Sequence, residues 1–411
     1  MTTNTTTHLV CEQVLHPPLH SIGTADETLV QYNPQTSCWD VDFSSDGKLL
    51  AACYGPPDCC VRIWHYDNNG TFRLVTTLKD LHTRTVRSCS FAPVSKFYTI
   101  ATASFDGTVG IWEDASSSKF DNNTDAMSDD NEDWECIAQL EGHDSECKCV
   151  TWNPTSTLLA TCSRDKTVWL WDCCLSGNIG SGGEDGDFEC LSILSGHEGD
   201  VKSVVFAASH GQFGDGDEIV ISSSYDTTIR IWAEDAGDWY CAHELSDSPH
   251  TVWDLAVAPG STRFISCSAI GTIGIYKCYT SQERKKLKVD DTDDQQQQGS
   301  SNERSPNQGT WNCVKSLPPQ SESEILSVSY SPARAGHGRF ASSGSISLRI
   351  YREAPESTSD QPIIGLDAEI HQENLNAVQW HPRDGSILAT AGGDDGCVRI
   401  WKYGKKKNNR T

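Results

Sequence analysis

One pattern recurs seven times along the chain and limits what the chain can fold into. Each copy opens with an alternating apolar strand and continues with a second strand ending in small residues. A third strand then closes on Trp or Tyr. The first four copies are "CWDVDFSSDGKLLAACYGPPDCCVRIW" to Trp64, "VRSCSFAPVSKFYTIATASFDGTVGIW" to Trp112, "CKCVTWNPTSTLLATCSRDKTVWLW" to Trp171 and "VKSVVFAASHGQFGDGDEIVISSSYDTTIRIW" to Trp232. The last three are "VWDLAVAPGSTRFISCSAIGTIGIY" to Tyr276, "ILSVSYSPARAGHGRFASSGSISLRIY" to Tyr351 and "NAVQWHPRDGSILATAGGDDGCVRIW" to Trp401. Short fourth segments lie between them, such as "WECIAQL", "FECLSIL", "WYCAHEL" and "WNCVKSL".

Four strands per unit with a closing Trp is the signature of WD repeats. Seven such units predict an all-β chain folded as one seven-bladed β-propeller; two separate β domains are the alternative. Strands a to c of the blades are assigned to 36–64, 83–112, 144–171, 198–232, 249–276, 322–351 and 372–401. The segment "HLVCEQVL", residues 8–15, is expected to supply strand d of the last blade. Pairing the first and last segments closes the ring and covers the exposed edges.

Within a blade, a His before strand a, a Ser or Thr on strand b, the b–c turn Asp and the closing Trp can form a buried polar network. The candidates are His82, Asp106 and Trp112; His143, Asp165 and Trp171; His197, Asp226 and Trp232; and His371, Asp395 and Trp401. A His–Asp pair invites a catalytic reading, but one that recurs blade after blade reads as structure. Blades 5 and 6 carry Ile270 and Ser345 at the turn position, and blade 1 keeps Asp58 but has Pro34 in place of the His.

The segments 114–133, 176–187 and 281–310 read as flexible insertions and 404–411 as a solvated tail. Every large insertion follows strand c or strand a, which places it at the bottom of a propeller. The top face, built from b–c turns and d–a loops, is left uncluttered. Two positions per blade are expected to point up from it. The residue before the turn Asp gives Pro57, Phe105, Arg164, Tyr225, Ala269, Gly344 and Asp394. The position early in strand a gives Trp39, Arg87, Lys148, Lys202, Trp253, Leu326 and Asn376.

Phe105, Arg164, Tyr225, Arg87, Lys148 and Lys202, flanked by Trp39 and Trp253, thus form a basic and aromatic crescent. The whole chain has a net charge of -25. Arg and aromatic residues dominate protein-interface energetics, and basic groups beside aromatics suit an acidic peptide or a carboxylate. Base stacking on RNA is the other reading of Phe-Arg-Tyr. The overall acidity opposes it, as it opposes an anionic membrane.

No stretch approaches the ~20 apolar residues of a membrane span, and "MTTNTTTHLV" lacks a signal-peptide pattern. The expected compartment is the cytosol or nucleus, where the 18 cysteines stay reduced. No C-x-x-C occurs. Cys147 and Cys149 are expected on one buried face of a strand, and Cys173-Cys174 on the surface. Neither gives metal-ligand spacing, so no metal, cofactor or catalytic residue is assigned. G-x-S-x-G, H-E-x-x-H and the P-loop are also absent.

"LEGHDSECKCVTWNPTSTLLATCSRDKTVWLWD", "SSSYDTTIRIWAEDAGDWYCAHEL" and "LATAGGDDGCVRIW" resemble the WD-repeat subunit of the cytosolic iron–sulfur cluster assembly targeting complex. The resemblance runs through all seven blades and departs in blade 6 and the insertions. It implies a non-enzymatic scaffold joined to a small adaptor with a reactive cysteine and to a large HEAT-repeat subunit. Clusters would come from an iron-only-hydrogenase-like carrier and pass to cytosolic and nuclear apo-clients. Arg164, in "SRDK", matches a functional top-face arginine of that family. The competing assignment is another WD-repeat adaptor, such as a chromatin reader or a ubiquitin-ligase substrate receptor.

Overall fold

The computed structural model describes residues 7–17, 36–67, 69–118, 134–175, 186–211, 213–260, 262–279, 310–319, 323–332, 338–353, 364–372 and 374–405. Pro34 and most of each expected insertion lie outside these residues, as does most of the tail. Among the described residues every regular element is a strand. The strands form seven four-stranded antiparallel sheets, each in the order a-b-c-d. Blade 3 is typical, with strands Cys147–Trp152, Leu158–Ser163, Thr167–Cys174 and Asp187–Ser195.

The strand a segments make a closed ring at the centre, each touching those of both neighbours: Cys38–Phe43, Val86–Phe91, Cys147–Trp152, Val201–Ala208, Val252–Val257, Ile325–Tyr330 and Leu375–Trp380. Strand b is covered on both sides. Leu49–Tyr54 and Ile387–Gly392 are buried at every residue, which explains their runs of small and apolar residues in place of alternation. Strand d keeps an exposed face, as in Trp134–Leu140.

The core is not one mass. It divides into clusters shared by adjacent blades. Leu49, Ile63 and Val86 pack with Ile100 and Trp112 between blades 1 and 2, and Cys162, Leu170, Val204 and Trp232 pack between blades 3 and 4. A fully buried Leu or Ile contributes about 1.5–3 kcal/mol, and here most of that burial needs a neighbouring blade. Ring closure is therefore part of every blade's stability.

Closure comes from strand Thr7–Leu15, which pairs with Val398–Lys405 of blade 7, with Cys11 opposite Trp401 and Leu15 opposite Val398. The expected N-terminal closing strand is thus present. Gln13 extends the seam into blade 1, where its amide donates to Phe72 O and accepts from Phe72 N, both at 2.9 Å.

Side chains of the central strands also tie blades together. Asp42 accepts from Phe91 N at 2.8 Å and from Gln379 Nε2 at 3.3 Å. Asp40 accepts from Cys89 N at 3.2 Å, and Asp254 from Val328 N at 3.0 Å. Burial pushes the Asp40 carboxyl up to about 6 and that of Asp42 to about 7, against the Arg87 charge in the first case and the Phe91 amide in the second.

Candidate protein-interaction face

The repeated polar networks form in blades 2, 3 and 4. In blade 3, His143 Nδ1 lies 2.7 Å from Asp165 and its Nε2 lies 2.9 Å from the Thr161 hydroxyl; Trp171 Nε1 donates to that hydroxyl at 3.0 Å. Blade 4 repeats this with His197, Asp226, Ser222 and Trp232 at 2.8–2.9 Å. In blade 2, His82 binds Thr102 at 2.8 Å and sits 3.4 Å from Asp106. Burial alone would raise the Asp165 carboxyl, but hydrogen bonds from His143 and Thr167 hold it at about 2. These histidines are enclosed by their partners and serve the turn.

Blade 7 departs from the expectation. His371 is exposed at the end of strand d, Ile364–His371, opposite Ser347. The link from Ile370 to strand a at Leu375 is two residues shorter than that from Leu140 to Cys147, so His371 cannot reach over the turn. Asp395 pairs with Arg399 instead, while Trp401 still donates to Thr390 at 2.9 Å. Blade 1 uses the same substitute. Arg62 meets Asp58 at 2.6 Å and lies 4.1 Å from the Tyr54 ring centre. The signal was in the sequence, because "VRIW" places this arginine in the two blades that keep the turn Asp but lack a usable His.

A bulge explains the upward-pointing position in strand a. In all seven blades the a–b register slips at the second residue of strand a, leaving Trp39, Arg87, Lys148, Lys202, Trp253, Leu326 and Asn376 out of register. Such a slip re-aims a side chain. It also corrects the cysteine reading: Cys147 and Cys149 flank the bulge and enter different clusters, the first between blades 2 and 3 and the second between blades 3 and 4. Cys173 and Cys174 are buried and not on the surface.

The b–c position is marked by its amide, which donates to the residue preceding strand a. Phe105, Arg164, Tyr225 and Ala269 do so to Thr85, Glu146, Asp200 and Thr251. By the same bond the equivalents in blades 1, 6 and 7 are Gly55, Ser345 and Gly393, not Pro57, Gly344 and Asp394. Gly55 leaves room for Trp39, since a Cβ there would stand 2.9 Å from the indole nitrogen.

The crescent residues come together in two groups. Arg87 lies 5.6 Å from the Trp39 ring centre, Lys148 lies 4.1 Å from that of Phe105, and the Trp39 and Phe105 rings are 6.3 Å apart. Lys202 sits between Tyr225 at 5.5 Å and Trp253 at 5.1 Å, and bonds Asp200 at 3.1 Å. The groups feel each other, because burial and then the Lys202 charge lower the Lys148 ammonium. Tyr225 is 60% exposed.

Arg164, with 57% of its side chain exposed, turns to Glu146 at 3.2 Å. Arg84 reaches the same carboxylate at 3.1 Å. Neither Arg84 nor Glu146 was singled out from sequence. Burial would raise the Glu146 carboxyl, but hydrogen bonds from Arg84, Ser145 and Arg164 hold it at about 2. The face therefore presents cations and aromatic rings whose polar edges are only partly used. That suits docking of an acidic surface.

The family model described as "WD domain, G-beta repeat" matches residues 27–65, 72–113, 134–172, 188–233 and 368–402, the blades that close on Trp. The chain is also similar to proteins named "Probable cytosolic iron-sulfur protein assembly protein 1". The one from Botryotinia fuckeliana is 30% identical over 93% of this chain and 98% of its own length. That from Scheffersomyces stipitis is 30% identical over 89% and 96%. The Mycosarcoma maydis protein is 37% identical over 33% of this chain and 34% of its own length.

Proposed function

The chain belongs to the family of cytosolic iron–sulfur protein assembly protein 1, built on WD repeats, and from that premise we propose that it is a docking scaffold of cytosolic iron–sulfur protein assembly. A WD-repeat propeller is typically a non-catalytic scaffold, and this one is read as non-enzymatic. Its insertion-free face holds the partner subunits and the apo-clients. The partners are a small adaptor with a reactive cysteine, a HEAT-repeat subunit and an iron-only-hydrogenase-like carrier. The cluster is cargo passed between these proteins. The working compartment is the cytoplasm, with nuclear clients served as well.

The observation that carries this reading is the crescent around Arg164. Arg84, Arg87, Lys148 and Arg164 from blades 2 and 3 adjoin Trp39 and Phe105 on a chain of net charge -25. Such a local reversal of charge steers acidic partners and fixes their register.

The test is co-purification with Arg164→Gln and Arg164→Glu. Both keep the wild-type melting temperature, because Arg164 is exposed, and both lower recovery of the adaptor or of client enzymes at physiological salt. Unchanged recovery of every partner would remove Arg164 from the docking surface. Recovery of cullin or chromatin proteins in their place would point to a different adaptor.

A further inference from the structure

Glu146 sits where the crescent needs explaining, because it is an acid at the centre of a basic face. Its side chain is only 12% exposed. Oε1 accepts from Arg84 Nη2 at 3.1 Å and from Arg164 Nη1 at 3.3 Å; Oε2 accepts from Arg164 Nη1 at 3.2 Å and from Ser145 Oγ at 3.1 Å. Its own carbonyl accepts from Arg164 N at 2.9 Å. Arg164 is thus held by one residue at both its backbone and its tip.

The consequence lies in what Arg164 has left. Among the described residues its guanidinium donates only through Nη1. The Nε and Nη2 edge, which can meet a carboxylate with two parallel hydrogen bonds, stays open on an exposed side chain. Arg84 is more committed, with Nη1 on Phe105 O at 2.5 Å and Nη2 on Glu146. Two guanidinium charges and one carboxylate leave the bracket itself with a single net positive charge, while the Lys148 ammonium, which also acts on Glu146, is drawn over the Phe105 ring at 4.1 Å.

A single charge matches a single carboxylate. A phosphate group carries about -1.5 to -2 at neutral pH, and it would leave uncompensated negative charge beside Glu146. Asp144, exposed in the same d–a loop as Glu146, adds to that repulsion. We propose that Glu146 is the specificity-determining residue of this face: it positions Arg164 and sets the bracket to take a carboxylate side chain in preference to a phosphorylated one. This rests on the reading of the crescent as a site for acidic partners.

The test uses the full chain on arrays of peptides with a fixed central Asp, Glu, phosphoserine or Asn among randomised neighbours. The wild type retains Asp and Glu peptides over Asn and over phosphoserine. Glu146→Gln makes the bracket doubly positive and moves the carboxylate-to-phosphoserine ratio toward phosphoserine by about fivefold, the ratio given by ~1 kcal/mol of one exposed charge contact. Glu146→Asp keeps the wild-type order.

Arg84→Gln changes an exposed residue, so it folds whatever becomes of Glu146→Gln. It takes the bracket to zero net charge and moves the ratio the other way. A ratio unchanged in Glu146→Gln, or moved in the same direction by Arg84→Gln, would overturn the proposal while leaving the acidic-partner reading in place. A wild type that does not distinguish Asp or Glu from Asn would remove that reading, and this inference with it.

Discussion

The hydroxyl of Thr161 is the smallest group on which blade 3 depends, and Thr161→Val tests the reading of the polar networks as structure. Thr161 is fully buried. Its oxygen accepts from Trp171 Nε1 at 3.0 Å and meets His143 Nε2 at 2.9 Å. Valine has nearly the same shape, so no cavity opens. What changes is that a buried indole N–H and a buried imidazole nitrogen lose their partner. Each stranded group costs about 1–3 kcal/mol, giving ~4 kcal/mol as a central figure for the pair.

An unfolding entropy of about 2.1 cal/mol/K per residue gives roughly 0.9 kcal/mol/K for a chain of this length, so Tm falls by about 4–5 °C. Differential scanning calorimetry measures this directly. Trp171→Phe removes the stranded donor, and the double variant is then less destabilised than the sum of the two single changes, by ~1 kcal/mol. A Tm within about 1 °C of wild type, or strict additivity, would mean that the hydroxyl is not the hub of the network.

Two further outcomes follow from paired charges. Asp58→Asn leaves the guanidinium of Arg62, 3% exposed, buried without its carboxylate; unfolding in urea should show a loss of about 3–5 kcal/mol. Asp395→Asn, beside an Arg399 in contact with solvent, should cost much less. The acid limb of stability reports the turn carboxylates. Asp165 is held at about 2 against an ordinary 3.8, and Asp106 and Asp226 are lowered further, so their contribution is complete above about pH 4 and is lost as pH falls through 2. The central carboxylates act oppositely: with Asp40 and Asp42 raised to about 6 and about 7, their contribution is present at pH 4 and lost as pH rises through 7. Melting curves from pH 2 to 8 check both limbs. Asp165→Asn should flatten the first and Asp42→Asn the second, and a variant that leaves its limb unchanged would refute that assignment.

The sequence by itself determined the number of blades, the strand order and the identity of the turn aspartates. These follow from local periodicity, which a strand and its nearest turn impose on consecutive residues. Phe105, Arg164 and Tyr225 were legible for the same reason, since each sits one residue before a turn Asp. Tertiary structure decided what depends on register and on distant apposition. The bulge at Lys148 separated Cys147 from Cys149, although strict alternation would have kept them on one face. The short link from strand d of blade 6 to strand a of blade 7 left His371 outside and handed Asp395 to Arg399. Glu146 acquired its part from Arg84, 62 residues away, and Gln13 from Phe72, 59 residues away. No pattern of neighbours along the chain encodes such a meeting. It exists because seven sheets, each unable to bury its faces alone, must close on one another.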